Sequence, residues 1–177
     1  MIRLMVLGLL RVKSMSGYEI QQILQTSKTD LWAGILPGSI YHALKKMEKG
    51  SLVEVESVEQ TGHRIKAIYK INDQGEQEYF NLLKKSLEVS SVKLPTELYT
   101  GMGFIQDLSK EDVLNALFIQ KTALEAELEM QKDGIEMKRQ VLGELDKITQ
   151  LTAQNIFKQY EIQIDFIEQL TELFMKK

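Results

Sequence analysis

Residue types able to act on a bound molecule are few in this chain, and their spacing does not favour catalysis. Its 177 residues include no cysteine and two histidines, His42 and His63. Without thiols there is no cysteine nucleophile, no Cys-ligated zinc and no iron–sulfur cluster. Neither histidine sits on a helix with a second histidine or a carboxylate one turn away, so no metal site is expected. No serine has an acid–base partner that would make it a nucleophile, and the carboxylates are scattered as solubilising charge. Gly101-Met102-Gly103 has Gln106 where a dinucleotide fingerprint wants a third glycine, and no strand precedes it. Neither a cofactor nor an enzymatic activity is expected.

What remains is patterned positive charge. On a helical wheel over residues 40–49, Ile40, Ala43, Leu44 and Met47 share one stripe, while Tyr41, His42, Lys45, Lys46 and Lys49 occupy the other side. A face of donors ending in lysines suits the groove and phosphates of a nucleic acid duplex; a merely solvated lysine face is the plainer alternative. A second cationic group, His63, Arg64 and Lys66, follows on a segment of different periodicity. The whole chain has net charge −3, which argues against nucleic acid, but the mean hides a division. Residues 1–93 carry 13 Lys and Arg against 10 Asp and Glu, a net +3; residues 94–177 carry 9 against 15, a net −6. Two parts with different partners are implied.

The elements that must position these charges can be read in order. Ile2 to Leu10 is apolar on nearly every side, as in an enclosed helix. It is too short to span a membrane and lacks the flanks of a secretion signal, so a cytoplasmic protein with no membrane partner is expected. Ser16 and Glu19 form a capping box, with Met15 and Ile20 placed as a hydrophobic staple, and predict a helix over 17–26 with Ile20, Ile23 and Leu24 inward. A connection containing Trp32 follows; tryptophan in a small domain is usually a core anchor. Pro37-Gly38-Ser39 starts the lysine helix, with Ser39 available as its cap, and Gly50 ends it.

Residues 53–59 and 64–71 alternate as strands. A three-residue loop of Thr61, Gly62 and His63 pairs Val53 with Ile71, Val55 with Tyr69 and Ser57 with Ala67, collecting one apolar face. The other face then sets Glu54 against Lys70, Val58 against Lys66 and Gln60 against Arg64, leaving a cationic tip free of acids. Asp73 and Glu76 suggest a further capping box, opening a helix with Tyr79, Leu82, Leu83 and Leu87 in one stripe, which ends near Glu88. Three helices followed by a hairpin with a basic tip is the order of a winged helix-turn-helix.

These residues also carry a family resemblance. Trp32, then Leu36-Pro37-Gly38-Ser39-Ile40-Tyr41-His42-Ala43-Leu44, Met47-Glu48 and Gly50-Ser51-Leu52-Val53 resemble the PadR family of transcriptional regulators. The run from Gly62 to Ile71 is similar to that family's wing, and Asp73-Gln74-Gly75 to the start of its next helix. His42 stands where the family pattern usually has proline. The resemblance spans about half of the chain. It implies a double-stranded DNA partner, dimerization through a helical C-terminal region, and a small-molecule effector as an option, since some members respond to phenolic or drug-like compounds.

In the second half, residues 89–96 read as a hinge broken by Pro95. A short helical stretch follows over 97–106, then a cap at Ser109 and Asp112. A helix over 110–142 would extend about 50 Å, with Leu117, Leu124, Leu128, Ile135 and Leu142 as a coiled-coil-like seam interrupted at Gln131 and Lys138. The final helix is apolar on more sides than one neighbour covers, and Ile162, Phe166, Ile167, Leu170, Leu173 and Phe174 are its expected dimerization residues. An intramolecular helical pair with a thick stripe is the alternative.

The fold expected is therefore mainly α with a small β-hairpin: a winged helix-turn-helix DNA-binding domain over 1–88, a hinge over 89–96 and a helical dimerization domain over 97–177. The expected function is a sequence-specific DNA-binding transcriptional regulator, a homodimeric repressor. Ser39, Tyr41, His42, Lys45 and Lys46 serve its recognition helix, and His63, Arg64 and Lys66 its wing. A different reading of the same scaffold is a protein-interaction module docking through its acidic C-terminal helices.

Overall fold

The computed structural model describes residues 1–61, 64–89 and 91–176, and the side chains of all of these except Leu31, Thr61, Arg64 and Ile65. The chain divides into two compact units, 1–91 and 92–177.

The first unit contains α1 (Ile2–Val12), β1 (Met15–Ser16), α2 (Gly17–Thr26), α3 (Thr29–Ala33), α4 (Pro37–Lys49), β2 (Val53–Thr61), β3 (Arg64–Ile71) and α5 (Asp73–Glu88). The antiparallel sheet runs β1-β3-β2, so β3 is central. Its core draws on every layer: Val6, Leu7 and Leu10 from α1, Ile20 and Leu24 from α2, Ile40, Leu44 and Met47 from α4, with Met15 and Val53 from the sheet. This assembly of helices with a hairpin is a winged helix.

Local signals explain most boundaries. Ser16 Oγ accepts from the Glu19 amide at 3.2 Å, and Glu19 Oε2 accepts from the Ser16 amide at 2.8 Å, closing the expected capping box. Ile20 and Leu24 face the core as expected, but Ile23 is exposed. The connection before α4 contains the short helix α3, and Trp32 on it is 43% exposed, so it is not the core anchor expected of it. Helix α4 starts with Pro37 in its first turn, and Leu36 is its N-cap. Ser39 does not cap it: its hydroxyl donates to the Leu36 carbonyl at 2.6 Å from inside the first turn. Helix α5 likewise begins one residue earlier than the Asp73–Glu76 signal implied. Asn72 is the cap, accepting from the Gly75 amide at 3.0 Å and donating to the Ser51 carbonyl at 2.9 Å. On α5, Tyr79 and Leu82 pack on the core, whereas Leu83 and Leu87 are exposed. Arg11 and Glu76 pair at 3.2 Å, and the guanidinium lies over the Tyr79 and Phe80 rings, tying α1 to α5.

The hairpin register is correct at its base and shifts toward the tip. Val53 opposes Ile71, Glu54 opposes Lys70 and Val55 opposes Tyr69, as the alternation requires. An irregularity between Val55 and Ser57 then moves each later pair by one, giving Ser57 with Ile68, Val58 with Ala67, Glu59 with Lys66, Gln60 with Ile65 and Thr61 with Arg64. The expected pairings of Ser57 with Ala67, Val58 with Lys66 and Gln60 with Arg64 are replaced. Apolar partners fix the register only near the core.

Glu19 makes one consequence of this packing measurable. Two hydrogen bonds from Ser16, first the amide and then the hydroxyl, together with the Lys66 ammonium, hold its carboxyl at about 2, below its ordinary 4.5. A depressed carboxyl stabilises the fold above the unfolded value, and that contribution is lost as pH falls from about 4.5 toward 2. Thermal melts followed by circular dichroism should therefore lose stability across this window less steeply in Glu19→Gln than in the parent protein. Parallel curves would show that Glu19 is not the acid-labile group.

The second unit holds α6 (Thr96–Met102), a short 3-10 turn (Ile105–Asp107), α7 (Lys110–Leu142) and α8 (Lys147–Lys176). Ser109 caps α7 by accepting from the Asp112 amide at 3.1 Å. Asp146 caps α8 by accepting from the Ile148 and Thr149 amides. The long helices pair antiparallel: Lys110 donates to the Met175 carbonyl, and Lys121 meets Glu168 at 2.6 Å. Val113, Leu117 and Ile167 form the core, with Leu98, Leu124, Phe166, Leu170 and Phe174 packed around it. Along the expected seam Leu117 and Leu128 are buried, but Leu142 is exposed. Gln131, expected as a polar gap, is itself buried. No described helix is long and apolar enough to cross a membrane.

Candidate nucleic-acid interface

The amphipathic division of α4 is the basis of the site. Ile40, Ala43, Leu44 and Met47 are each less than one-tenth exposed, which pins the helix by one face. That orientation leaves His42, Lys45, Lys46 and Lys49 in solvent. Among the described residues these three lysines make no ion pair, although Glu48 lies on the same helix. Ser39 is half-buried, with its proton directed at Leu36. Tyr41 is partly exposed, but its ring rests against the start of α2. A Cβ added to Gly17 would come within 2.8 Å of the ring, so the absent side chain permits this approach.

The two described lysines of the wing, Lys66 and Lys70, are both paired with carboxylates. Lys66 Nζ lies 3.2 Å from Glu19 Oε2 and 3.7 Å from Glu59 Oε2. Lys70 meets Glu54 at 3.0 Å, which raises its own pKa chiefly through that hydrogen bond. The absence of acids within residues 61–70 therefore does not leave Lys66 unpaired. The shifted register places Glu59 directly across from it, and α2 supplies Glu19. His63 lies outside the described residues. Arg64 is described only through its backbone, paired with Thr61 in the ladder.

Helix α2 joins the two groups of charges. Its first turn touches Tyr41 of α4 through Gly17 and Lys66 of β3 through Glu19. Sequence reading assigned Glu19 only to capping. No local spacing betrays its second contact, which exists because β1 aligns Ser16 with Ile68 and so brings the start of α2 to the wing.

In the second unit, the six residues expected at a dimer interface separate by exposure. Ile167 is fully buried within the chain, and Phe166, Leu170 and Phe174 pack around it. Ile162 is 63% exposed and Leu173 51%.

No curated protein sequence matches the chain. Among solved structures, smu.1604c from Streptococcus mutans UA159 is similar with a TM-score of 0.77 and 26% identity, over 94% of this chain and 96% of that one. Bacillus subtilis PadR in complex with operator DNA gives a TM-score of 0.73 at 20% identity, over 97% and 96% of the two chains. The same protein in complex with p-coumaric acid gives 0.70 at 18% identity, over 98% of each chain. These likenesses establish a common fold. Residues 6–81 match the transcriptional regulator PadR-like family. That segment contains α4 and the β2–β3 hairpin, so the lysine face and the wing both lie within the stretch that is similar to the PadR-like transcriptional regulators.

Proposed function

We propose that this chain is a sequence-specific DNA-binding transcriptional regulator, a cytoplasmic homodimeric repressor that occludes a promoter. Helix α4 enters the major groove, and the β2–β3 hairpin lies along adjacent phosphates. Ser39, Tyr41, His42, Lys45 and Lys46 serve the groove, and His63, Arg64 and Lys66 serve the wing. The observation that carries this reading is the exposed lysine face of α4, held outward by a buried apolar face and free of ion pairs among the described residues. Lysine binds phosphate as a point charge and reads bases less sharply than an arginine fork, so affinity is mostly electrostatic.

Two readers are needed for a two-fold operator, with half-sites about 10 base pairs apart or a multiple of that. Exposed Ile162 and Leu173 support dimerization through α8, with Phe166, Leu170 and Phe174 at the margin and Ile167 holding the helix from behind. The p-coumaric acid complex of Bacillus subtilis PadR supports a small-molecule effector for this chain as well.

The test is fluorescence anisotropy with the protein's own upstream promoter DNA over a salt series. If the dimer neutralises about 6 to 8 phosphates, log affinity against log salt should fall with a slope of roughly −5 to −7. A salt-independent curve overturns the reading. No binding at low salt, with a protein partner recovered through the acidic second unit, would favour the interaction-module alternative.

A further inference from the structure

Resting on the DNA-binding reading, we propose that Glu19 is a positioning residue that occupies Lys66 in place of a DNA phosphate, so that the wing lysine must exchange partners when DNA binds. One oxygen of Glu19 carries the whole arrangement. Oε2 accepts from the Ser16 amide and hydroxyl, each at 2.8 Å, and lies 3.2 Å from Lys66 Nζ. The first two bonds belong to the α2 cap and fix the carboxylate to the helix start. The third presents it to Lys66 as an anionic oxygen, the type of group a phosphate offers. Glu59, across the ladder, is a second but longer contact at 3.7 Å.

Lys66 is thus neutralised before DNA arrives, whereas Lys45, Lys46 and Lys49 on α4 have no ion pair among the described residues. Counterion release depends on how many cations newly neutralise phosphate. A lysine that leaves one anion for another gains little, because the abandoned carboxylate recruits a cation from solution. The helix face therefore supplies most of the electrostatic affinity, while Glu19 holds the wing lysine in reserve and weakens attraction to any duplex, whatever its sequence.

Glu19→Gln tests this cleanly, since glutamine keeps the acceptor a capping box needs and loses only the charge. Affinity for promoter DNA and for a scrambled duplex should both rise, by roughly 2- to 5-fold per protomer. The salt dependence should steepen by about 1 per protomer as Lys66 becomes a net phosphate ligand. With Lys66→Ala as the background, Glu19→Gln should bring no gain, so that the double variant binds no more tightly than Lys66→Ala alone. A gain that survives Lys66→Ala, or a Glu19→Gln protein whose affinity and salt slope match the parent's, overturns the proposal while leaving DNA binding intact. Failure of the parent and both variants to bind any duplex overturns the DNA-binding reading itself and this inference with it.

Discussion

Gly75→Ala should cost the first unit more than about 3 kcal/mol, because the new methyl group has nowhere to go. A Cβ at this position would lie 2.0 Å from the Leu52 carbonyl oxygen, 2.7 Å from Ile71 Cγ1 and 3.0 Å from the Leu52 carbonyl carbon. The obstacle is mostly backbone, and that backbone is held. Leu52 N–H donates to the Met47 carbonyl at 2.9 Å, Asn72 N–H donates to the Leu52 carbonyl at 3.4 Å, and the Asn72 amide donates to Ser51. Helix α5 would have to lift off the turn joining α4 to β2, at the expense of the Asn72 cap. For a domain of this size the loss corresponds to a fall in melting temperature of roughly 15 °C or more. Gly38→Ala is the informative comparison, since a Cβ there meets nothing within 4 Å and alanine favours a helix. Equal melting temperatures for Gly75→Ala and Gly38→Ala would show that α5 can shift without cost.

The second large effect is on DNA rather than on stability. Replacing Lys45 and Lys46 together by alanine should leave the melting curve unchanged, because both side chains are exposed and neither makes an ion pair among the described residues. Promoter affinity should nevertheless fall, on the order of 100-fold or more at moderate salt, since the proposed dimer would lose four cations from the two helices proposed to face the groove. The salt slope should flatten by about 0.9 for each phosphate contact removed. A lysine that contacts phosphate lowers binding to all sequences alike, whereas one that reads a base also relaxes specificity. Measuring the variant on promoter and scrambled duplexes separates these roles. Retention of full affinity would make the lysines a solvated face and sink the α4 reading.

The contrast between α4 and the hairpin shows which parts of this molecule were legible before its structure. The Ser16–Glu19 box, the buried stripe of α4 and the base of the hairpin all rest on short-range spacing or on burial, and both leave marks in the sequence. The bulge beyond Val55 leaves none, because residues away from the core have no apolar pattern to fix their register. Asn72 was readable in principle, as asparagine is a preferred N-cap, but Asp73 and Glu76 offered a competing signal one residue later. Helix α3 is too short to show a period, and Trp32 cannot announce its exposure by its type. The Lys66–Glu19 pair was hidden for a different reason: its members are remote in sequence and meet only through the alignment of β1 with β3. For the candidate site, this made the lysine face of α4 readable and the pairing of Lys66 unreadable.

Ser16 has two loyalties. Its backbone lies in the ladder opposite Ile68, and its hydroxyl begins α2. A single buried residue is therefore both a rung of the sheet and the hub of a helix. Bending the ribbon against a duplex would exert torque at that rung, and the axis of α2, with Tyr41 resting on its first turn, must take up the strain.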